Sequence, residues 1–195
     1  IADDCVTLID TGMPGSTERI LAAVRQVGRE PQDVRHILVT HCHPDHAGSL
    51  AALKQQTGAA ATMHPEDAAM VRAGSAMRPM SRAPGFINGL VFHTIIRNAP
   101  HTIDAAEVEH EASDGDALPV AGGVRAIHVP GHCAGQLAFL WPQQGGVLFA
   151  ADVCGHPIGL TLSPGYEDLE EGRHSLAKLA ALEFEVACFG HGRAI

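Results

Sequence analysis

Thr40-His41-Cys42-His43-Pro44-Asp45-His46 places four candidate metal ligands within six consecutive positions, directly after the apolar run Ile37-Leu38-Val39. In extended backbone the side-chain period is two, so His41 and His43 project to the same side and both imidazoles can reach one ion. Asp45 and His46 follow at a strand-to-helix turn, where the chain has changed direction, and are placed for a neighbouring ion. Cys42 projects the other way. Imidazole and carboxylate without thiolate suit zinc, iron, manganese or cobalt, and the ligand set by itself does not choose among them.

Outward from this segment, the same arrangement recurs along the chain. Short apolar runs end in a histidine or acid beside Gly or Pro: Val6–Ile9 before Asp10, Val124–Val129 before Pro130-Gly131-His132, Val147–Ala151 before Asp152, and Val186–Phe189 before Gly190-His191. Such β-branched, near-continuous runs read as strands covered on both faces. Helical patterns lie between them. Ser16 caps one that Gly28 stops, and Asp45 is the expected cap of a second over His46–Thr57. Pro65 opens a third, and Glu167–Leu182 forms a fourth. Strand and helix alternate as in an α/β layer protein. All 195 residues read as one domain. Ser75–Ala106 departs from the pattern: Met77, Met80, Phe86, Leu90 and Phe92 are interrupted by Pro and Gly, so the segment reads as an apolar insertion.

Taken together, His41–His46, Pro130-Gly131-His132, Asp152 at a strand end and Gly190-His191-Gly192 resemble the metallo-β-lactamase superfamily over nearly the whole chain. The resemblance implies an αββα sandwich of two mixed sheets flanked by helices, with two divalent metals at one edge between the sheets. It gives His41, His43 and His132 to the first metal and Asp45, His46 and His191 to the second, with Asp152 as the bridge. Zinc is the expected metal, with iron or manganese as alternatives. Ile9-Asp10-Thr11-Gly12 matches the superfamily's early strand-end acid, a buried group behind the ligands.

Differences from particular members narrow the expectation. The best-known zinc β-lactamases carry Cys where this chain has Asp152, which argues against antibiotic hydrolysis. Acyl-homoserine lactonases carry a Tyr shortly after the bridging Asp, where Val153-Cys154-Gly155 stand here. Diiron oxygen reductases of this fold have Glu at the position of His43. Glyoxalase II is similar over His41–His46, but its basic glutathione-binding residues have no clear counterpart. The implied chemistry is two-metal hydrolysis, in which paired cations lower the pKa of a shared water to about 7. The resulting hydroxide attacks an ester, thioester or lactone, with Asp45 and Asp152 as the catalytic carboxylates. The alternative is a mononuclear iron dioxygenase acting on persulfides, similar to glyoxalase II and using residues like His41, His132 and Asp152.

Composition restricts the partners. A formal charge of −9 from 13 Lys+Arg and 22 Asp+Glu argues against a sequence-independent grip on phosphate backbones, so nucleic acid is not expected. No run approaches the roughly 18 apolar residues of a membrane span. A small-molecule substrate with an apolar portion is expected, and three uses of the insertion compete: a flap over the metals, a homodimer contact, and plain packing against the sandwich. Five cysteines without paired spacing point to a reducing compartment, the cytoplasm. The start at Ile1 leaves a preceding signal peptide open. Cys42, Cys133 and Cys154, each beside a candidate ligand, read as packing residues. His64 and His128 read as packed, hydrogen-bonded histidines, and His156 as a residue that could line the pocket.

Overall fold

The computed structural model describes residues 1–2 and 4–195. Strands Val6–Ile9, Val34–Leu38, Ala60–Met63 and His110–Glu111 pair in parallel in that order. A second sheet runs Val186–Cys188, Val147–Phe149, Leu137–Trp141, Val124–His128 and Ala117–Leu118; its first pair is parallel and the rest are antiparallel.

Strand alternation sorts the core into three zones and so fixes the layers. Ile37 packs outward with Leu21, Val24, Leu50, Leu53, Ala68 and Val71 of the helices. Its neighbour Leu38 packs inward with Ala126, Leu137 and Phe139 of the second sheet. Across that sheet, Ile127 and Ala138 take the other face and meet Leu176 and Leu179 of the Leu169–Ala180 helix. The order is therefore helix, sheet, sheet, helix, the sandwich the resemblance implies.

The helices Thr17–Gln26 and Pro65–Arg72 lie where the sequence places them. The fourth runs Leu169–Ala180, capped by Asp168, whose carboxylate accepts from the Glu170 and Glu171 amides. The second differs from expectation. It is divided into Pro44–Ala47 and Leu50–Thr57, and Asp45 sits in the first turn instead of capping. The cause is tertiary: the Ser49 hydroxyl donates to Met13 O and accepts from the Ser16 amide, drawing the Met13–Ser16 turn onto the chain. A Cβ on Gly48 would lie 2.1 Å from Pro44 O and 2.4 Å from Pro14 Cδ, so only glycine admits that turn.

The insertion contains a two-residue strand, Ser81–Arg82, and the helix Phe86–Thr94; a bridge between Ser75 and Thr102 closes its base. Ser81–Arg82 pairs antiparallel with Gly165–Tyr166. Its small residues Ala76, Ala83 and Gly89 are buried, whereas Phe86, Ile87, Leu90 and Ile95 are exposed. No helix among the described residues is long and apolar enough to cross a membrane. All five cysteines are free.

The Leu169–Ala180 helix lies against the Pro130-Gly131-His132 turn with no side chain between them. A Cβ on Gly172 would sit 2.5 Å from the Tyr166 ring, and one on Gly131 would sit 2.2 Å from Gly172 N. Gly→Ala in a helix normally gains up to about 1 kcal/mol, whereas overpacking costs about 1–3 kcal/mol. The rigid ring decides the sign. Gly172→Ala is expected to lower the melting temperature, at about 2–4 °C per kcal/mol for a chain of this size. Calorimetry that found an unchanged or raised value would show that the contact yields.

Candidate metal centre

Each donor segment leaves the end of a strand and is fixed by contacts behind it. Asp10 holds the first. Its backbone adopts φ 62°, a left-handed conformation that is unfavourable for an Asp. Its carboxylate accepts from the Thr40 amide at 2.7 Å, the Thr40 hydroxyl at 2.9 Å and His46 Nδ1 at 2.7 Å. The Thr40 hydroxyl has spent its one proton on Asp10, so it accepts from His41 Nδ1 at 2.9 Å. Likewise His132 Nδ1 donates to Gly165 O at 2.8 Å. In His41 the Nδ1 proton is thus engaged and Nε2 is left for another partner, the usual arrangement behind metal-binding histidines. His132 Nε2 meets His43 Nδ1 at 3.0 Å. Burial opposes a charge on His46, but the Asp10 and Asp152 carboxylates raise it well above the ordinary imidazole range, so a cation there takes the place of its Nε2 proton.

The structure brings all seven expected residues together. Donor atoms of His41, His43 and His132 lie within 4.8 Å of one another, as do those of Asp45, His46 and His191, and those of His41, His46 and Asp152. Asp152 is central: Oδ2 lies 3.2 Å from His191 Nε2 and 3.5 Å from His132 Nε2, and Oδ1 lies 3.6 Å from His46 Nε2. Asp45 Oδ2 lies 3.1 Å from His191 Nε2. His41, His43, His46, His132 and Asp152 are buried; Asp45 and His191 are open to solvent on the outer side.

Asp152 is positioned by its backbone. Its amide donates to Gln136 Oε1 and its carbonyl accepts from the Ser163 hydroxyl. Ala151 before it is left-handed, with φ 52°. Opposite, Gly190 clears the space: a Cβ there would meet Asp152 Oδ1 at 2.0 Å and His46 Cε1 at 2.8 Å.

The electrostatics separate the donors into two kinds. Burial pushes His41, His43 and His132 below the ordinary imidazole range, His43 to about 3, leaving them neutral. Hydrogen bonds to Asp152 and Asp45 raise His191 to about 10. Burial opposes ionisation of Asp152, but the charge of His46 and its contacts with His191 and His132 hold its carboxyl well below the usual carboxylate range. For Asp45, burial is likewise outweighed by the His191 hydrogen bond and the His46 charge, which bring it to about 2.

Whether this donor set fits metal is answered by its unmet hydrogen-bonding capacity. Among the described residues, His41 Nε2, His43 Nε2, His46 Nε2 and Asp152 Oδ1 are buried without a hydrogen-bond partner. An unpaired buried polar atom costs about 1–3 kcal/mol, and a concentration of them in one cluster calls for a ligand. Neutral imidazoles and ionised carboxylates are what divalent cations take.

The remaining histidines have other occupations. His128 Nε2 donates to Ala134 O, and its ring stacks on His64 at 4.1 Å, while His64 Nδ1 accepts from the Glu66 amide. His156 pairs with the His191 turn through Gly192 and Arg193, so it supports a candidate ligand from behind.

A second cluster had little signal in the sequence. Asp67, fully buried, accepts from the Cys42 amide at 2.9 Å, Arg78 Nη1 at 2.8 Å, Cys133 Sγ at 3.1 Å and the Gly135 amide at 3.2 Å. Cys42 Sγ and Cys133 Sγ lie 3.7 Å apart beside it. One carboxylate therefore joins the residue between His41 and His43 to the residue after His132. The roles of Gln136 and Thr40 likewise arise only when distant strands meet.

The family model of the metallo-β-lactamase superfamily matches residues 1–191. An uncharacterized protein of Bacillus subtilis (strain 168), YobT, is 34% identical over 148 residues, which is 75% of this chain and 56% of YobT. A hydroxyacylglutathione hydrolase of Pseudomonas aeruginosa (strain LESB58) is 32% identical over 152 residues, 75% of this chain and 42% of the hydrolase. The chain therefore spans about half the length of these relatives. In fold, a metallo-β-lactamase of Cronobacter sakazakii with a HARLDQ motif aligns at TM-score 0.73 and 22% identity, covering 97% of this chain and 71% of that one. With the sandwich, the converging donors and the family match in agreement, the chain belongs to the metallo-β-lactamase superfamily.

Proposed function

We propose that the chain is a binuclear metal-dependent hydrolase that cleaves an ester, thioester or lactone. The observation that carries this reading is the set of buried donor atoms without partners on His41, His43, His46 and Asp152, inside a cluster completed by His132, Asp45 and His191. The likeness to a hydroxyacylglutathione hydrolase supports an acyl substrate. His41, His43 and His132 form one group of ligands and Asp45, His46 and His191 the other, with Asp152 touching members of both.

Two divalent cations held there, zinc in the first instance, would supply a hydroxide nucleophile at neutral pH and positive charge for the developing oxyanion. The chain's own residues divide the rest of the work. The Asp10, Thr40 and Gly165 contacts hold the Nδ1 atoms of His46, His41 and His132 and so fix the orientation of the three rings. Asp152, kept ionised in a dry position, balances charge at the centre. Asp45 is the carboxylate on the open side; it hydrogen-bonds His191 and can orient the attacking group and hold its proton. Ester, thioester and lactone leaving groups need less protonation than an amine, and the cluster offers no buried neutral acid to protonate one.

Three outcomes are expected. The metal-replete protein should contain two ions per chain by elemental analysis, and His46→Ala should retain one. A single iron per chain, with oxygen uptake on a persulfide, would replace this reading by the dioxygenase. Asp152→Ala should reduce ester or lactone turnover at least about a hundredfold, the cost of losing a principal electrostatic element; a variant with most of its metal-dependent turnover would remove Asp152 from the centre. Gly190→Ala, with its methyl directed at Asp152 and His46, should lower metal content and turnover together while the far-ultraviolet circular dichroism stays unchanged. Full metal loading in that variant would show that the His191 turn is free to move.

A further inference from the structure

The insertion carries a groove of its own, lined by none of the candidate metal ligands. Arg82, Phe86, Gly89, Leu90 and His93 line a shallow groove of about 300 Å³, at the lower end of the range for small-ligand sites. Phe86, Gly89, Leu90 and His93 recur at helical spacing along one face. Gly89 has no side chain to fill the floor, and a Cβ there would touch Arg82 Nη1 at 3.0 Å, so the guanidinium lies over it. Phe86 is 87% exposed, Ile87 73% and Leu90 55%, a concentration of apolar surface that marks an interaction site.

Charge supplies an independent observation. The chain carries −9, yet Ala68–Ile103 contains no Asp or Glu while holding Arg72, Arg78, Arg82 and Arg97. Arg72 and Arg78 are matched by Glu111, Asp67 and Glu167 from outside the stretch. Arg82 has no acidic partner among the described residues and is exposed at the groove. Apolar walls with one unmatched guanidinium fit an apolar chain that ends in a carboxylate.

The strand that carries Arg82 is also tied to a candidate ligand. Arg82 pairs directly with Gly165 in the antiparallel strand pair. The Gly165 carbonyl accepts from His132 Nδ1, and Met80 and Phe92 of the insertion close on its Cα. One strand pairing therefore separates Arg82 from the residue that orients a candidate ligand.

We propose that this groove is the specificity subsite for an anionic acyl substrate, with Phe86 and Leu90 against its aliphatic part and Arg82 on a terminal carboxylate. The proposal rests on the hydrolase reading for the bond cleaved, but not for the binding.

Two esters of equal length give the test: the mono-p-nitrophenyl ester of suberic acid, with a free distal carboxylate, and p-nitrophenyl octanoate, without one. The metal-loaded chain should prefer the first, and Arg82→Gln should lower kcat/KM for it by about two- to fivefold, the upper part of the range of an exposed charge pair. The neutral ester should change less than twofold. Arg82→Lys should restore part of the preference, and added salt should reduce it in the unmodified chain, neither of which a merely structural role would produce. Equilibrium binding of octanoate, followed by calorimetry, should weaken in Arg82→Gln and in Leu90→Ser. If neither ester is turned over but octanoate binding keeps this dependence, the hydrolase reading fails and the subsite stands. Equal effects of Arg82→Gln on both esters, or octanoate binding indifferent to Arg82, overturn the subsite. So does a dimer that dissociates on Phe86→Ser, which assigns the patch to a second copy of the chain. Arg82-dependent sedimentation with phosphatidylglycerol vesicles, without discrimination between the esters, overturns it in favour of a lipid surface.

Discussion

Three hydrogen bonds to one carboxylate, that of Asp10, hold the centre in register. A non-glycine residue in left-handed backbone costs on the order of 1–3 kcal/mol and persists only where its surroundings over-determine it. Here they do: Asp10 is bound to the amide and hydroxyl of Thr40 and to His46 Nδ1. The ends of the first two parallel strands are tied together by the same contacts that orient His41 and His46. One side chain therefore links the end of the first strand pair to the orientation of two candidate ligands.

The second constraint is space. Ligands from four strand ends converge only if backbone approaches backbone, and glycine makes each approach available. Gly131 against Gly172 seats the turn that carries His132, Gly190 leaves room for Asp152 and His46, and Gly48 admits the Pro14 turn beside Pro44. These contacts are too close for any Cβ, so the positions of the donors follow from chain geometry before any cation binds. A centre assembled in this way is preorganised: the buried donors are already oriented, and their unmet hydrogen-bonding capacity favours a ligand among them.

The parts legible in the sequence were those set by local period. His41 and His43 share a side because extended backbone alternates, and His132, Asp152 and His191 stand out because each ends an apolar run. Buried strands alternating with helices indicated an α/β layer protein, and the resemblance to the superfamily narrowed that to the sandwich. What stayed hidden depends on contacts between distant segments. The Gly48-Ser49 break comes from Ser49 reaching Met13 and Ser16, which no helical pattern records. Asp67 looks like an ordinary acid in the first turn of a helix, yet it is wholly buried and holds Cys42, Cys133 and Arg78. The apolar residues of Ser75–Ala106 announced an insertion, but their division into a buried layer of small residues and an exposed layer of large ones required the pairing with Gly165–Tyr166.

That division bears on how selectivity and chemistry are joined. The insertion is fastened at two places, and both lie directly behind candidate ligands. Arg78 binds Asp67, which accepts from the amide between His41 and His43, and Ser81–Arg82 pairs with the strand whose Gly165 carbonyl holds His132. A segment that recognised substrate from a flexible tether would spend binding energy on its own ordering. One anchored to the residues that orient the donors carries the substrate into fixed geometry, where remote contacts can act on the reacting bond. The same anchoring means that the segment cannot be exchanged without disturbing Asp67 and Gly165, so changes in specificity have their free positions on the exposed side of the Phe86–Thr94 helix.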